Sequence, residues 1–282
     1  MKSFKDDPLA MDGLLPIAIP FVIIAQNESS IIADAIRSCD GLGEVFVVDG
    51  GSTDDTVEVA SGLGARVARR AFTYHADQYN WALRQVETPW AFVLDADERL
   101  SQALQDELRS LRPDAHVLAF EVSRLNHFCG EPIRHSDWYP DRNVRLFKPA
   151  IIKYEDRAVH ARINVPEGRT GRLTEDLLHL SYRSVSHYVA KMNFYTDLEV
   201  AARTQNDRPV DIRSRYRSLY LRLPARPLVR FLYMFVFRRG FLDGRAGYTV
   251  ARLSAIYEYV ASEKVRRRDR HADATSGDLR DQ

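Results

Sequence analysis

Three observations on this 282-residue chain predict an α/β fold, with a mostly parallel central sheet flanked by helices and a C-terminal helical extension. Residues 17 to 150 alternate short apolar runs with amphipathic segments, the pattern of strands leading into helices. Three of those runs end in loops carrying Asp, Asn, Gly or Ser. With 45% apolar residues and a formal charge of +1, the chain has the composition of one large or two small globular domains and not of a disordered one.

Taken in order, Ile17 to Ala25 reads as the first buried strand. Ser29 or Ser30 then caps a helix running to Arg37, with Ile31, Ile32, Ala35 and Ile36 inward. Glu44 to Val48 is the second strand. It ends in Asp49-Gly50-Gly51-Ser52-Thr53-Asp54-Asp55, where the glycines permit a tight turn and Ser52 with Asp55 forms a capping-box pattern for the next helix. Ala65 to Ala68 is a third strand, and a helix from Ala76 to Val86 leads through Pro89 into the fourth, Trp90 to Leu94. After Asp97 come a helix capped by Ser101 and running to Leu111, a strand from Val117 to Val122, and a strand from Asn143 to Lys148. Val185, Tyr188, Val189, Met192 and Tyr195 fall at helical spacing, predicting an amphipathic helix over 184–202 that packs on the sheet. The polar residues 262–282 read as a disordered tail.

The expected organisation is an N-terminal extension over 1–16 and a catalytic domain over 17–183, divided into a nucleotide half (17–100) and an acceptor half (101–183). A basic helical region follows over 184–261, then the tail. Cys39 and Cys129 lack metal-ligand spacing and read as reduced thiols. Met1 to Asp12 carries acids, and Pro16 and Pro20 break the apolar stretch after it, so no signal peptide is expected.

Asp95-Ala96-Asp97 closes the fourth strand. Both carboxylates reach one divalent ion if the backbone turns at Ala96, building the site that a nucleotide diphosphate needs. In an open α/β sheet the loops after parallel strands line one crevice. Gln26-Asn27-Glu28, Asp49-Gly50-Gly51-Ser52 and Asp95-Ala96-Asp97 therefore converge, and an acid at the first or second strand end can accept a hydrogen bond from a base N–H or a ribose hydroxyl.

Between Arg208 and Arg252 stand eleven Arg, no Lys and two Asp, a local charge of +9 that points to an anionic surface as partner. No nucleic-acid partner is expected. Leu228 to Phe237 is too short for the roughly 20 residues of a membrane span. Flanked by Arg222, Arg226, Arg238 and Arg239, it reads as an interfacial helix or, alternatively, as a buried helix with Arg stems over its rim.

Ile23 to Glu28, Val47 to Asp54 and Leu94 to Glu98 together resemble the successive motifs of family-2 glycosyltransferases of the GT-A fold. Asp77 to Leu83 resembles the helix that approaches the sugar nucleotide, with Tyr79 where many relatives carry a basic residue. Downstream, Trp138, Arg145-Leu146-Phe147, Val159-His160, Gly171-Arg172-Leu173, Leu178-His179, Lys191 to Thr196 and Gly240 to Gly247 resemble the lipopolysaccharide-core β-1,4-glucosyltransferase subgroup. In that subgroup an acid usually stands where this chain has Ala161.

The resemblance implies inverting transfer from a UDP-sugar to a lipid-linked saccharide, with Mn2+ or Mg2+ as cofactor, at the cytoplasmic face of a membrane. It places Gln26, Asn27, Glu28, Asp49, Gly51, Ser52, Gln78, Asn80 and Asp95 around the sugar nucleotide. Asp97 and Asp95 serve the metal, with His160 or His179 completing its shell or remaining core histidines. Inverting transfer needs a carboxylate base. Asp176, Glu98 and Glu175 are equal candidates, each of which could instead serve only as a cap. Exopolysaccharide or capsule synthesis is an alternative setting. A sugar-1-phosphate nucleotidyltransferase would need a Gly-rich, Arg-containing loop where Gln26-Asn27-Glu28-Ser29 stands. A non-catalytic membrane-surface protein would not need acids at all three strand ends.

Overall fold

The computed structural model describes residues 19–156, 162–204 and 225–278. The chain divides into two compact units, one drawing on Met1–Leu125 and Pro140–His179 and the other on Asn126–Tyr139 and Leu180–Gln282. The sequence expectation of a single boundary near residue 183 misses the return of 126–139 to the second unit.

Among the described residues the sheet comprises β1 (Phe21–Ala25), β2 (Val45–Asp49), β3 (Arg66–Arg69), β4 (Ala91–Asp95), β5 (Glu98–Leu100), β6 (Ala119–Phe128), β7 (Glu131–Pro132), β8 (Asp141–Phe147) and β9 (Thr170–Tyr182). Their order is β3-β2-β1-β4-β8-β6-β9-β5, with β7 paired to β6. The four strands β3, β2, β1 and β4 are parallel, whereas β8 joins β4, and β9 joins β5, antiparallel. The α/β class and the parallel nucleotide side are as predicted.

Alternation along β1 explains why β1, and β2 and β4 up to their final Asp, are apolar at every position. Phe21, Ile23 and Ala25 enter one core with Ile32, Ala35 and Ile36 of α1 (Ile32–Arg37), Ala60 of α2 (Thr56–Gly62), and Leu104 and Leu108 of α4 (Gln102–Ser110). Val22 and Ile24 enter a second core with Tyr79, Ala82 and Leu83 of α3 (His75–Leu83). Both faces are covered, so polar residues appear only where strands end.

Ser101 caps α4 as expected, accepting from Leu104 N at 3.1 Å. The other two predicted caps do not form. The N-cap position of α1 is Ile31 and not Ser29 or Ser30, and Ser52 Oγ accepts from Asn27 N in the loop where the Ser52–Asp55 capping box was expected. β5 and β9 were not foreseen: Glu175 and Asp176, weighed as the base or as caps, lie inside a strand.

In the second unit, Tyr188 of α5 (Val185–Thr204) packs on Phe128 of β6 and Tyr182 of β9, at the end of the sheet, and with Met192 shares a core with Val250, Ala251 and Leu253 of α7 (Gly244–Asp278). Val185, Val189 and Tyr195, expected inward, are exposed. Helix α7 continues past residue 262, where a disordered tail was expected, because Ser262 is buried and accepts from Arg226 at 3.2 Å while Lys264 bonds Asp197 at 2.6 Å. The glycines of the 240–247 signature allow a close approach, since a Cβ on Gly247 would collide with the carbonyl oxygen of Gly240. No described helix is long and apolar enough to cross a membrane.

Candidate functional site

Pairing register sets the frame. Ala25 at the end of β1 lies beside Asp49, and Ile24 beside Asp95, so the two acids flank one strand end, roughly 10 Å apart at two strand spacings.

The first two loops are tied together by their own side chains. Asn27, in the left-handed region at φ 58°, donates its N–H to Ser52 Oγ at 2.9 Å and accepts from Thr53 N at 2.8 Å. Glu28 N donates to Thr56 Oγ1 at 2.8 Å, and Gln26 Nε2 reaches Gly50 O at 3.4 Å. Asp54 accepts from the Thr56 hydroxyl and from Ser29 N, bonds that draw its pKa down to about 2. Asp49 is only 1% exposed and accepts from Gly51 N at 3.2 Å and Ser52 N at 3.1 Å.

Asp49 thus shapes the Gly-Gly-Ser turn, a role beyond the nucleotide contact expected of it. Asp49→Ala should therefore cost about 1–3 kcal/mol by leaving two N–H groups unpaired, and should weaken UDP binding as the turn loosens. Thermal denaturation and UDP titration check both effects. Weakened binding at unchanged stability would restore the simpler reading of a pure ligand contact.

The third loop turns at Ala96-Asp97, as the paired carboxylates require, and passes directly into β5. Arg99 anchors it, donating to Ala96 O at 2.9 Å and to Ile31 O at 2.6 Å. Asp95 accepts from Tyr79 OH at 2.7 Å and from Arg145 at 2.6 Å, with Arg124 at 4.0 Å. Burial alone would raise its pKa, but Arg145 and Tyr79 outweigh that and hold the carboxyl well below its usual range. Asp97 Oδ2 lies 3.4 Å from Nε2 of His179, which β9 delivers because it pairs with Glu98.

Glu98 is 0% exposed, accepts from Asp95 N at 2.9 Å and pairs with Arg145. Burial pushes its pKa up against the pull of Arg145. These contacts give Glu98 a part in shaping the loop. Glu175 and Asp176 precede His179 on β9 by four and three residues, roughly 13 and 10 Å along an extended strand. Glu175 N bonds Glu107 of α4 at 3.0 Å, and Asp176 O accepts from Ser101 at 2.8 Å, so neither is brought to the Asp95–Asp97 loop.

Gln78 and Asn80 are likewise committed elsewhere. Gln78 is buried and bonds Arg70 and the Ala71 carbonyl, and Asn80 makes two 3.0 Å bonds to the Tyr154 backbone. Tyr79, in place of a basic residue, faces inward, stacks on Tyr154 at 5.1 Å and serves Asp95. His160 lies outside the described residues, as does Ala161.

Sequence reasoning missed the cationic side of the site. Arg145 bridges Asp95 and Glu98, while Arg124 joins Asp141 at 2.6 Å to Glu98 at 3.4 Å. The available signal was Asp141, Asn143 and Arg145 at alternate positions of one strand, a polar face that a strand wholly inside an apolar core would lack.

A divalent cation here would be held by the Asp97 carboxylate with His179 beside it, and would supply charge neutralisation for a diphosphate. Among the described residues no group of three or more His, Cys, Asp and Glu is placed to hold a metal ion.

Residues 21–163 match the family model described as glycosyl transferase family 2. The lipopolysaccharide core biosynthesis glycosyltransferase LpsC of Rhizobium meliloti (strain 1021) is 30% identical over 255 residues, 87% of this chain and 91% of the relative. An uncharacterized glycosyltransferase of Rickettsia prowazekii (strain Madrid E) is 28% identical over 86% of this chain and 85% of its own length. Among solved structures, glucosyl-3-phosphoglycerate synthase from Mycobacterium tuberculosis, in complex with Mn2+, UDP and glucosyl-3-phosphoglycerate, is 24% identical with a TM-score of 0.32. That match covers 39% of this chain and 44% of the other, too little to place any residue of the site.

Proposed function

The chain belongs to glycosyltransferase family 2, and from that membership we propose that it is an inverting, metal-dependent enzyme moving glucose from a UDP-sugar to a lipid-linked saccharide such as lipopolysaccharide core. The acceptor would be presented at an anionic membrane surface, with the protein peripheral at the cytoplasmic face. The observation that carries this reading is the Asp97–His179 pair in the turn that follows Asp95, where the parallel strand β4 ends and the antiparallel β9 delivers His179.

A divalent cation held by Asp97 and His179 would neutralise the diphosphate of the departing UDP. Arg145 and Tyr79 keep Asp95 charged and fixed, so it can orient the donor ribose or a water without itself taking a proton. The acceptor hydroxyl attacks the anomeric carbon as the bond to the UDP oxygen breaks and its electron pair leaves with UDP. The hydroxyl proton passes to a carboxylate. We assign that base to Asp141, which is partly exposed and tied into the cluster by Arg124, in place of Glu98, Glu175 and Asp176.

Asp141→Asn should lower turnover by about 10²–10⁴ with UDP affinity retained, whereas Asp176→Asn should leave turnover within a few-fold. The reverse pattern in a steady-state assay would return the role to Asp176. Release of UDP from a panel of UDP-sugars with Mn2+ or Mg2+ tests the function itself. Activity with UDP-glucose above the other donors supports the reading, and none with any donor refutes it.

A further inference from the structure

The Leu228–Phe237 segment, read from sequence as either interfacial or buried, is divided between the two. Helix α6 (Arg226–Leu232) runs into a π-helical turn (Tyr233–Phe237), and after Arg238 and Arg239 a short 3-10 turn (Gly240–Asp243) leads into α7. The arms form a hairpin: Arg226 bonds Ser262 near its open end, Phe231 and Phe235 pack on Tyr248, and a Cβ on Gly240 would collide with Ser136 Oγ at its tip. Met234 is buried in the core of this unit.

The outer side is apolar and bare. Leu228, Leu232 and Val236 recur at four-residue intervals beside Val229, Tyr233 and Phe237, and all six are exposed. The wider π turn offsets the drift that such spacing has in a regular α-helix. At the tip, Phe237 is 77% exposed, Leu242 57% and Phe241 50%.

Charge at the tip is one-sided. Arg239 and Arg245 are exposed and make no ion pair among the described residues, while Arg238 shares Asp137 with Arg230. Asp243, the acid of this turn, is turned inward to accept from Arg134 N at 3.1 Å, His135 N at 2.9 Å and His135 Nδ1 at 2.8 Å. An exposed apolar wedge inside a collar of cations fits an interface of acyl chains beneath phosphates.

We propose that this hairpin tip inserts Phe237, Phe241 and Leu242 into the acyl boundary of an anionic bilayer while Arg238, Arg239 and Arg245 meet its phosphates. The inference deepens the proposed action on a lipid-linked acceptor and names the surface that would hold the enzyme there.

Co-sedimentation of the full chain with phosphatidylglycerol-containing vesicles, against pure phosphatidylcholine, tests it. Binding is expected to the anionic vesicles at low salt and to fall at high salt. Phe237→Asp and Leu242→Asp should each reduce the bound fraction roughly tenfold at an unchanged thermal midpoint, and Arg239→Ala with Arg245→Ala should reduce it at low salt. Phe237→Gln gives the same comparison if a buried charge unfolds the chain.

Equal binding by wild type and the tip variants, or equal binding to both lipids, would overturn the proposal. So would a wild-type dimer that Phe237→Asp dissociates without any vesicle binding, which would make the tip a self-association surface. UDP release from a UDP-sugar without vesicles should be the same for Phe237→Asp as for wild type. Loss of all UDP release with vesicle binding intact would remove the transferase reading and leave this inference standing.

Discussion

Asp97→Ala is expected to lower sugar transfer by on the order of 10²–10³ while leaving the thermal midpoint within a few degrees of wild type. The residue sits in a surface turn, and its described contact with His179 is a 3.4 Å approach whose removal exposes no apolar core. Asp95→Ala should be comparably inactive for a different reason. It removes the acceptor of Tyr79 and Arg145, so activity and stability fall together. Steady-state rates at saturating Mn2+, with circular dichroism melts on the same samples, separate the two. Activity of Asp97→Ala within a few-fold of wild type would take the metal away from this loop.

Arg145→Met should be the most destabilising single change in the first unit. It leaves Asp95 and the enclosed Glu98 facing each other with only the longer Arg124 contacts at 4.0 and 3.4 Å, a cost of about 3–5 kcal/mol, or on the order of 10 °C in melting temperature. The deficit should depend on pH. In the wild type the depressed Asp95 contributes stability that is present above the ordinary carboxylate range and is lost as pH falls through its folded value. In the variant both carboxyls are raised by burial and mutual repulsion, so the folded form takes up protons more readily than the unfolded one. The deficit therefore shrinks as pH is lowered from neutral. Melts of both proteins across pH 5 to 8 check the sign. A deficit that grows on acidification would mean that Arg145 is not what holds the pair ionised.

The fold of the nucleotide side was readable because β1, β2 and β4 are apolar at nearly every position and each gives way abruptly to polar residues, Gln26-Asn27 after β1 and an Asp at the end of β2 and β4. Those patterns are local. The antiparallel side was harder to read: β9 carries Glu175, Asp176 and His179 in a strand that lies between the distant β6 and β5, which is only three residues long. Pairing at that distance in sequence leaves no periodic signature. The same limit hid Arg145. Its importance comes from two acids 50 and 47 residues upstream, and nothing in Arg145-Leu146-Phe147 alone states that the guanidinium turns toward them.

The helix motif that suggested Gln78 and Asn80 as sugar-nucleotide contacts does not announce that their amides also bond Arg70 and the Tyr154 backbone. Likewise Phe231 and Phe235, prominent in the apolar run, face the packing side of the hairpin, and it is Phe237 that stands clear.

Calorimetric titration of UDP into wild type, Asp97→Ala and His179→Ala, each with Mn2+ and again with EDTA, bears on the whole account. Wild type should bind UDP at least about tenfold more tightly with Mn2+ than without, His179→Ala should keep only part of that gain, and Asp97→Ala none of it. UDP affinity that is the same with and without metal in all three proteins would contradict a metal-assisted diphosphate site at the Asp97–His179 turn.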